Sequence, residues 1–442
     1  MRDWQGMTAA DLGRGIAAGK IDPIALTESY LEAIAAHEAS ARIYARVTET
    51  RALAEAAAAR DRAREGRRRS LLDGVPVSWK DLFDTAGIGT EAGSALLKDR
   101  VPDADGTVLR AATAMGLVCL GKTHMSELAF SGLGLNPITA TPPNATDPAG
   151  APGGSSSGAA ASVAFDLAPA GIGSDTGGSV RIPAAWNDLV GLKTTAGRLS
   201  LEGVVPLCPR FDTIGPLTRS VEDAALLLGA LEGTAGPDLR GASLQGRRLA
   251  ALQTCVLEDI RSAPLAAYEA AVERLKAAGA TVERLEVPAL EEAMALSGVL
   301  YTAEAYGLWR DVIEADPEVM FDQIRERFRA GAGFSGPDYV AAWTTLDRLR
   351  GLWARATAGY DAVLAPTAPI LPPDLARLQG DHDYYVTENL LTLRNTRVGN
   401  LMGLCALTLP TGVPACGLML MSPPDSEEAL LRLGIAAEAA LG

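Results

Sequence analysis

The chain has 442 residues, 48% of them hydrophobic and 21% charged, enough apolar material for one large domain or two to three ordinary ones and too much for disorder. Forty Lys and Arg against 54 Asp and Glu give a net charge of −14, which argues against nucleic acid or an anionic membrane as partner. Five cysteines with no C-x-x-C pair argue against a disulfide scaffold and a Cys₄ metal site, and point to a reducing cytoplasm.

In chain order, the N-terminus lacks a basic-then-apolar leader pattern, and no apolar run reaches membrane-spanning length. Asp22-Pro23 is an N-cap and first-turn pair, opening a helix through Leu26, Tyr30 and Ile34. A second, Ala-rich helix over 48–64 leads to Arg67-Arg68-Arg69, read as a solvated helix end rather than a nucleic-acid patch. Residues 74–80 (GVPVSWK) predict a short strand running into a loop. From about 106 to 196, helical and β-like runs alternate (117–120 and 168–172), the pattern of a mixed α/β layer fold. The Pro/Gly/Ser-rich segment 142–158 is read as a structured functional loop, because small and apolar residues resume at once as at a helix start. Residues 264–357 form a charged, mainly helical excursion, 361–366 a late buried strand, and 426–441 a closing amphipathic helix.

Residues 116–123 (GLVCLGKT) fit the phosphate-loop pattern literally, but a buried Leu-Val-Cys-Leu strand cannot wrap a phosphate, so nucleotide binding is rejected. A stronger feature is 174–183 (SDTGGSVRIP). Two glycines before a serine let consecutive N–H groups converge on one point, the construction of an oxyanion hole beside a nucleophile, and taken alone the pattern fits a structural turn with an exposed serine equally well. Arg181 stands where the strand-to-helix serine elbow would need its second glycine, so that motif is absent. Upstream lies a second cluster, 152–158 (PGGSSSG). Only three histidines and six lysines occur, and Lys80 follows Val-Pro-Val-Ser-Trp instead of lying on a polar face.

Together, GVPVSWKD (74–81), PGGSSSG and SDTGGSVRIP resemble the signature of the amidase signature family of serine hydrolases, in order and at its intervals of 75 and 24 residues. GKTHMSE (121–127), GLKTT (191–195), GPLTR (215–219) and NLMGLCAL (400–407) match as well, so the resemblance spans nearly the whole chain. It implies a single domain over 1–442 of α/β class. That domain is an α/β/α sandwich whose large twisted mixed sheet is covered by helices, with its catalytic core at about 70–220. It implies Ser179 as nucleophile, Ser155 as bridging serine after a cis Gly154–Ser155 bond, and Lys80 as base. The oxyanion hole is then Thr176, Gly177, Gly178 and Ser179, supported by Ser156, Asp175 and Arg181. To accept a proton near neutrality, Lys80 must fall from about 10.4 towards 7, roughly 4–5 kcal/mol of differential interaction that burial supplies. His124, where the family often has asparagine, is expected to be a hydrogen-bonding structural residue.

Glutamine-hydrolysing amidotransferase subunits of this family usually carry an acidic residue seven positions before the late Asn-Leu motif; here it is Leu393. That replacement points to a small, neutral, fairly hydrophobic acyl or aryl amide, carbamates included, in a pocket bordered by Trp79, Met125, Phe130 and Leu133. No cofactor and no metal are expected, and a monomer or homodimer without nucleic acid or membrane. One alternative is the glutamine-hydrolysing subunit of a tRNA-dependent amidotransferase. Another, from a different class, is a non-catalytic binding protein on the same scaffold.

Overall fold

The computed structural model describes residues 4–442. Eleven strands form one mixed sheet: β1 (Tyr44–Val47), β2 (Pro76–Lys80), β3 (Val118–Thr123), β4 (Ala170–Asp175), β5 (Val190–Lys193), β6 (Thr213–Thr218), β7 (Arg248–Leu252), β8 (Thr281–Leu285), β9 (Ala362–Pro366), β10 (Cys405–Pro410) and β11 (Gly417–Ser422). Their spatial order is β1-β3-β2-β4-β6-β5-β10-β11-β9-β7-β8. β2 runs parallel to both β3 and β4, whereas β10 is antiparallel to β5 and β11.

Strand periodicity divides the core into two layers. Along β11, Leu418 and Leu420 join one cluster, together with Leu407 and Leu409 of β10 and the helices Val221–Glu232, Ser262–Ala277 and Glu427–Leu441. Met419 and Met421 face the other cluster, with Ala406 of β10 and with Val398 and Leu401 of the helix His382–Leu401. The sheet is therefore covered on both faces, as expected of an α/β/α sandwich.

Local signals hold up where their geometry is local. Asp22 caps the helix Pro23–Ala36, its carboxylate accepting from the N–H groups of Ile24 and Ala25. The rejected phosphate loop is buried strand β3, and its Lys122 Nζ lies 2.9 Å from Thr90 Oγ1 and 3.3 Å from Asp81. All five cysteines are free and buried. The helical excursion needs correction. The helix Ser262–Ala277 belongs to the sheet layer and leads into β8, which pairs in parallel with β7. The excursion proper runs from Ala289 to Thr357. β8 was missed because Thr-Val-Glu-Arg-Leu at a sheet edge buries too little to show a strand's apolar signal.

Candidate active site

Lys80 ends β2, and strand alternation directs it to the same face as Ser78, whose hydroxyl lies 2.6 Å from Ser162 Oγ in the helix Ser157–Ala164. That helix begins immediately after the Gly/Ser loop, so Ser155 is presented at its N-terminal end, beneath Lys80. The Gly154–Ser155 bond is cis, as the resemblance implies. Lys80 Nζ is 2.6 Å from Ser155 Oγ and 2.8 Å from Ser174 Oγ on β4. Its side chain is fully buried. Burial pushes it down from 10.5 to about 7, against the pull of the Asp175 and Asp212 carboxylates.

Ser155 and Ser179 are joined through the main chain, where the Ser156 N–H donates to the Ser179 carbonyl at 3.2 Å. Among the described residues their two hydroxyls make no hydrogen bond to each other. Ser156 stitches its loop to β4, donating to the Ser174 carbonyl at 3.2 Å and accepting from the Ser174 N–H at 3.3 Å.

The turn 176–179 is clamped from three sides. Thr176 Oγ1 donates to Asp212 at 2.5 Å, and Thr396 Oγ1 donates to the Gly177 carbonyl at 2.7 Å. Behind it, the Asp175 carboxylate accepts from the Val180 N–H and from two nitrogens of Arg181, both at 2.9 Å. Asn400 bridges that buried pair, accepting from Arg181 at 2.6 Å and donating to Asp175 at 2.9 Å. Burial alone would push Asp175 up, but Arg181, Lys193 and Asn400 outweigh it and hold the carboxyl at about 2. With its carbonyl and side chains held in this way, the turn keeps the N–H groups of Thr176, Gly177, Gly178 and Ser179 free of protein acceptors among the described residues. Such fixed, unspent donors stabilise an oxyanion without reorganising.

Gly178 has φ +143°, and a Cβ there would lie 2.2 Å from Thr396 Oγ1; at Gly177 the nearest atom would be 3.8 Å away. Gly178→Ala is therefore expected to lose about 2 kcal/mol or more of stability, and Gly177→Ala less than about 1 kcal/mol. Denaturant unfolding of the two variants checks this; equal losses would show that the turn is not pinned by Thr396.

Ser179 opens into a small chamber of about 20 Å³ whose walls include Phe130, Leu207, Leu393, Tyr301, Arg327 and Arg397. The last three also line an adjoining cavity of about 300 Å³. Of the four pocket neighbours expected, only Phe130 borders this space. Trp79 follows strand alternation to the face opposite Lys80 and packs edge-on against Phe83 at 5.3 Å. Met125 joins the same core, and Leu133 packs with Ile182 and Trp186 in another cluster. Nor is the wall purely apolar, since it carries two guanidinium groups. Burial pushes His124 down to about 4, leaving it neutral at pH 7, and its main chain pairs with Ile43 and Gly158.

Ser174 opens the SDTGGSVRIP segment but was given no part in the site. Asp212, Thr396, Tyr301, Arg327 and Arg397 were missed and had no local signal. Tyr301 and Arg327 come from the helical excursion, and Arg397 lies three residues before Asn400 on the helix that presents the late Asn-Leu motif.

A buried lysine hydrogen-bonded to a serine, beside a glycine-rich turn with free N–H groups, defines a hydrolase-type site without histidine. The chain belongs to the amidase signature family: residues 25–431 match the family model described as Amidase. It is 38% identical over 403 residues to 2-amino-5-chloromuconic acid deaminase of Comamonas testosteroni, covering 89% of this chain and 87% of that protein. It is 32% identical over 475 residues to the A component of glutamyl-tRNA(Gln) amidotransferase from Anaeromyxobacter dehalogenans strain 2CP-C, covering 98% and 96%. A crystal structure of an amidase superposes with a TM-score of 0.88 at 32% identity, over 99% of this chain and 100% of that one. The protein is an enzyme acting on C–N bonds. No helix among the described residues is long and apolar enough to cross a membrane, and none of their His, Cys, Asp and Glu side chains cluster as a metal site.

Proposed function

We propose that this chain hydrolyses the C–N bond of small acyl amides, and carbamates by the same acyl transfer, through a Ser179–Ser155–Lys80 relay. The observation that carries it is Lys80 Nζ, buried and 2.6 Å from Ser155 Oγ, with its basicity brought to about 7. Neutral Lys80 takes the Ser155 proton as Ser155 takes that of Ser179, whose Oγ bonds to the substrate carbonyl carbon. The carbonyl oxygen becomes an oxyanion held by the N–H groups of residues 176–179. As the C–N bond breaks, the proton returns through Ser155 to the leaving nitrogen. Water then attacks the ester by the same route, and releases the acid and Ser179.

Leu393 in the chamber wall removes the charged holder expected for the amino group of glutamine, which disfavours an amidotransferase role. A wholly neutral substrate is disfavoured in turn by Arg327 and Arg397 in the same wall, and the Comamonas relative is by name a deaminase of an acid. Fluorophosphonate labelling is expected on Ser179, mapped by mass spectrometry, together with ammonia release from primary amides. Full labelling and full hydrolysis in Ser179→Ala protein would refute the assignment.

A further inference from the structure

The larger cavity and the chamber beside Ser179 share three polar side chains that the relay does not use: Tyr301, Arg327 and Arg397. Arg397 is 8% exposed, yet its guanidinium makes no hydrogen bond and no ion pair among the described residues. Tyr301 is 6% exposed, and its hydroxyl is buried without a partner. Arg327, half-buried, spends one nitrogen on the Phe130 carbonyl at 2.9 Å and lays its guanidinium 4.5 Å from the Phe130 ring centroid, with no carboxylate in reach.

Two other arginines of this part of the fold are neutralised. Arg181 is matched by Asp175, and Arg261 lies 2.5 Å from Glu388. The one carboxylate lining either space is Glu326, exposed at the mouth and 3.9 Å from His382. Burial and mutual repulsion push Arg327 down to about 10, and burial pushes Arg397 down as well. The Arg397 guanidinium and the Tyr301 hydroxyl, largely withdrawn from water and left without protein acceptors, are costly unless something else supplies the acceptor, and Arg327 beside them has only the Phe130 carbonyl. An arginine fork matches a carboxylate with two parallel hydrogen bonds, and a tyrosine hydroxyl adds a third.

We propose that the space these three side chains share, between the chamber and the larger cavity, binds a carboxylate carried on the acyl part of the substrate, so that the enzyme acts on monoamides of small dicarboxylic acids, with Arg397 and Tyr301 holding the carboxylate and Arg327 adding charge. The proposal rests on the amide-hydrolase reading above. It makes Arg397 a specificity determinant, since a neutral amide would leave both guanidiniums uncompensated while a carboxylate satisfies them.

Calorimetric titration of Ser179→Ala protein, which cannot form the acyl-enzyme, separates binding from turnover. The probes are succinamate and glutaramate, each against its neutral diamide, succinamide and glutaramide. At least one carboxylate amide is expected to bind 30-fold or more tightly than its diamide. Adding Arg397→Gln should bring that preference close to one, and Arg397→Lys should restore part of it, with unfolding midpoints confirming that each variant is folded. Equal or tighter binding of the diamides, a preference that persists in Arg397→Gln, or no saturable binding of either carboxylate amide would overturn the proposal. Selective binding without ammonia release by the unsubstituted enzyme would instead refute the hydrolase reading and leave the anion site standing.

Discussion

Lys80→Met is expected to lower kcat/KM for any amide by roughly 10²–10⁴-fold, because proton transfer by a positioned base contributes about that much. In the unsubstituted enzyme kcat/KM should rise with pH through about 7 and then level, as Lys80 loses its proton, and the variant's residual rate should lack that step. The same substitution also has a stability signature. The folded state holds the Lys80 proton less tightly than the unfolded chain, with about 7 in place of 10.5. Below pH 7 this costs the fold about 5 kcal/mol, and the cost fades as pH rises towards 10.5. Lys80→Met removes the penalty. Its stability advantage over the unsubstituted protein should therefore shrink by about 3 kcal/mol between pH 6 and pH 9.5, measured by denaturant unfolding. A constant difference across that range would mean that Lys80 is not a depressed base, and activity that is flat from pH 5.5 to 8.5 would say the same.

Arg181→Met is expected to cost about 3–5 kcal/mol of stability, because it strands Asp175 as a buried charge. Both side chains are wholly buried and 2.9 Å apart, and Asn400 and the Thr396 carbonyl satisfy the remaining donors of Arg181. Asp175 also receives the Val180 N–H, so the loss passes directly into the turn that carries Ser179. Activity should fall with it. Replacing both partners, Asp175→Asn with Arg181→Met, should cost less than the two single losses together, since no unpaired charge is left. The pH dependence has a definite sign. Asp175 titrates at about 2 when folded, below its ordinary 3.8, so its contribution of about 2 kcal/mol is present above pH 3.8 and lost as pH falls towards 2. If Arg181→Met unfolds within about 1 kcal/mol of the unsubstituted protein, the pair is not what braces the turn.

Legibility followed the distance over which each signal acts. Asp22-Pro23 announces a helix start because cap chemistry involves only the next three residues. The strands β2, β3 and β9 show as apolar runs because they are buried on both sides. Strand alternation was enough to place Trp79 opposite Lys80, so its absence from the pocket could have been foreseen; Met125 and Leu133 lie in irregular chain, where no periodicity tells which way they face.

Length, composition and charge argued against nucleic acid and membrane and left the domain count open, and the scarcity of lysine drew attention to Lys80. By itself the sequence determined the three segments that carry the proposed relay residues, the helix and strand types around them, and the glycine-rich turn at 176–179, because each depends on a short stretch of backbone. The tertiary structure alone decided what surrounds them. It decided that one mixed sheet buries Lys80 against Ser155 and Ser174, that Asp212 and Thr396 clamp the turn from distant parts of the chain, and that Tyr301, Arg327 and Arg397 meet beside Ser179. Those placements depend on which faces pack together across long stretches of chain, and local patterns carry no record of that.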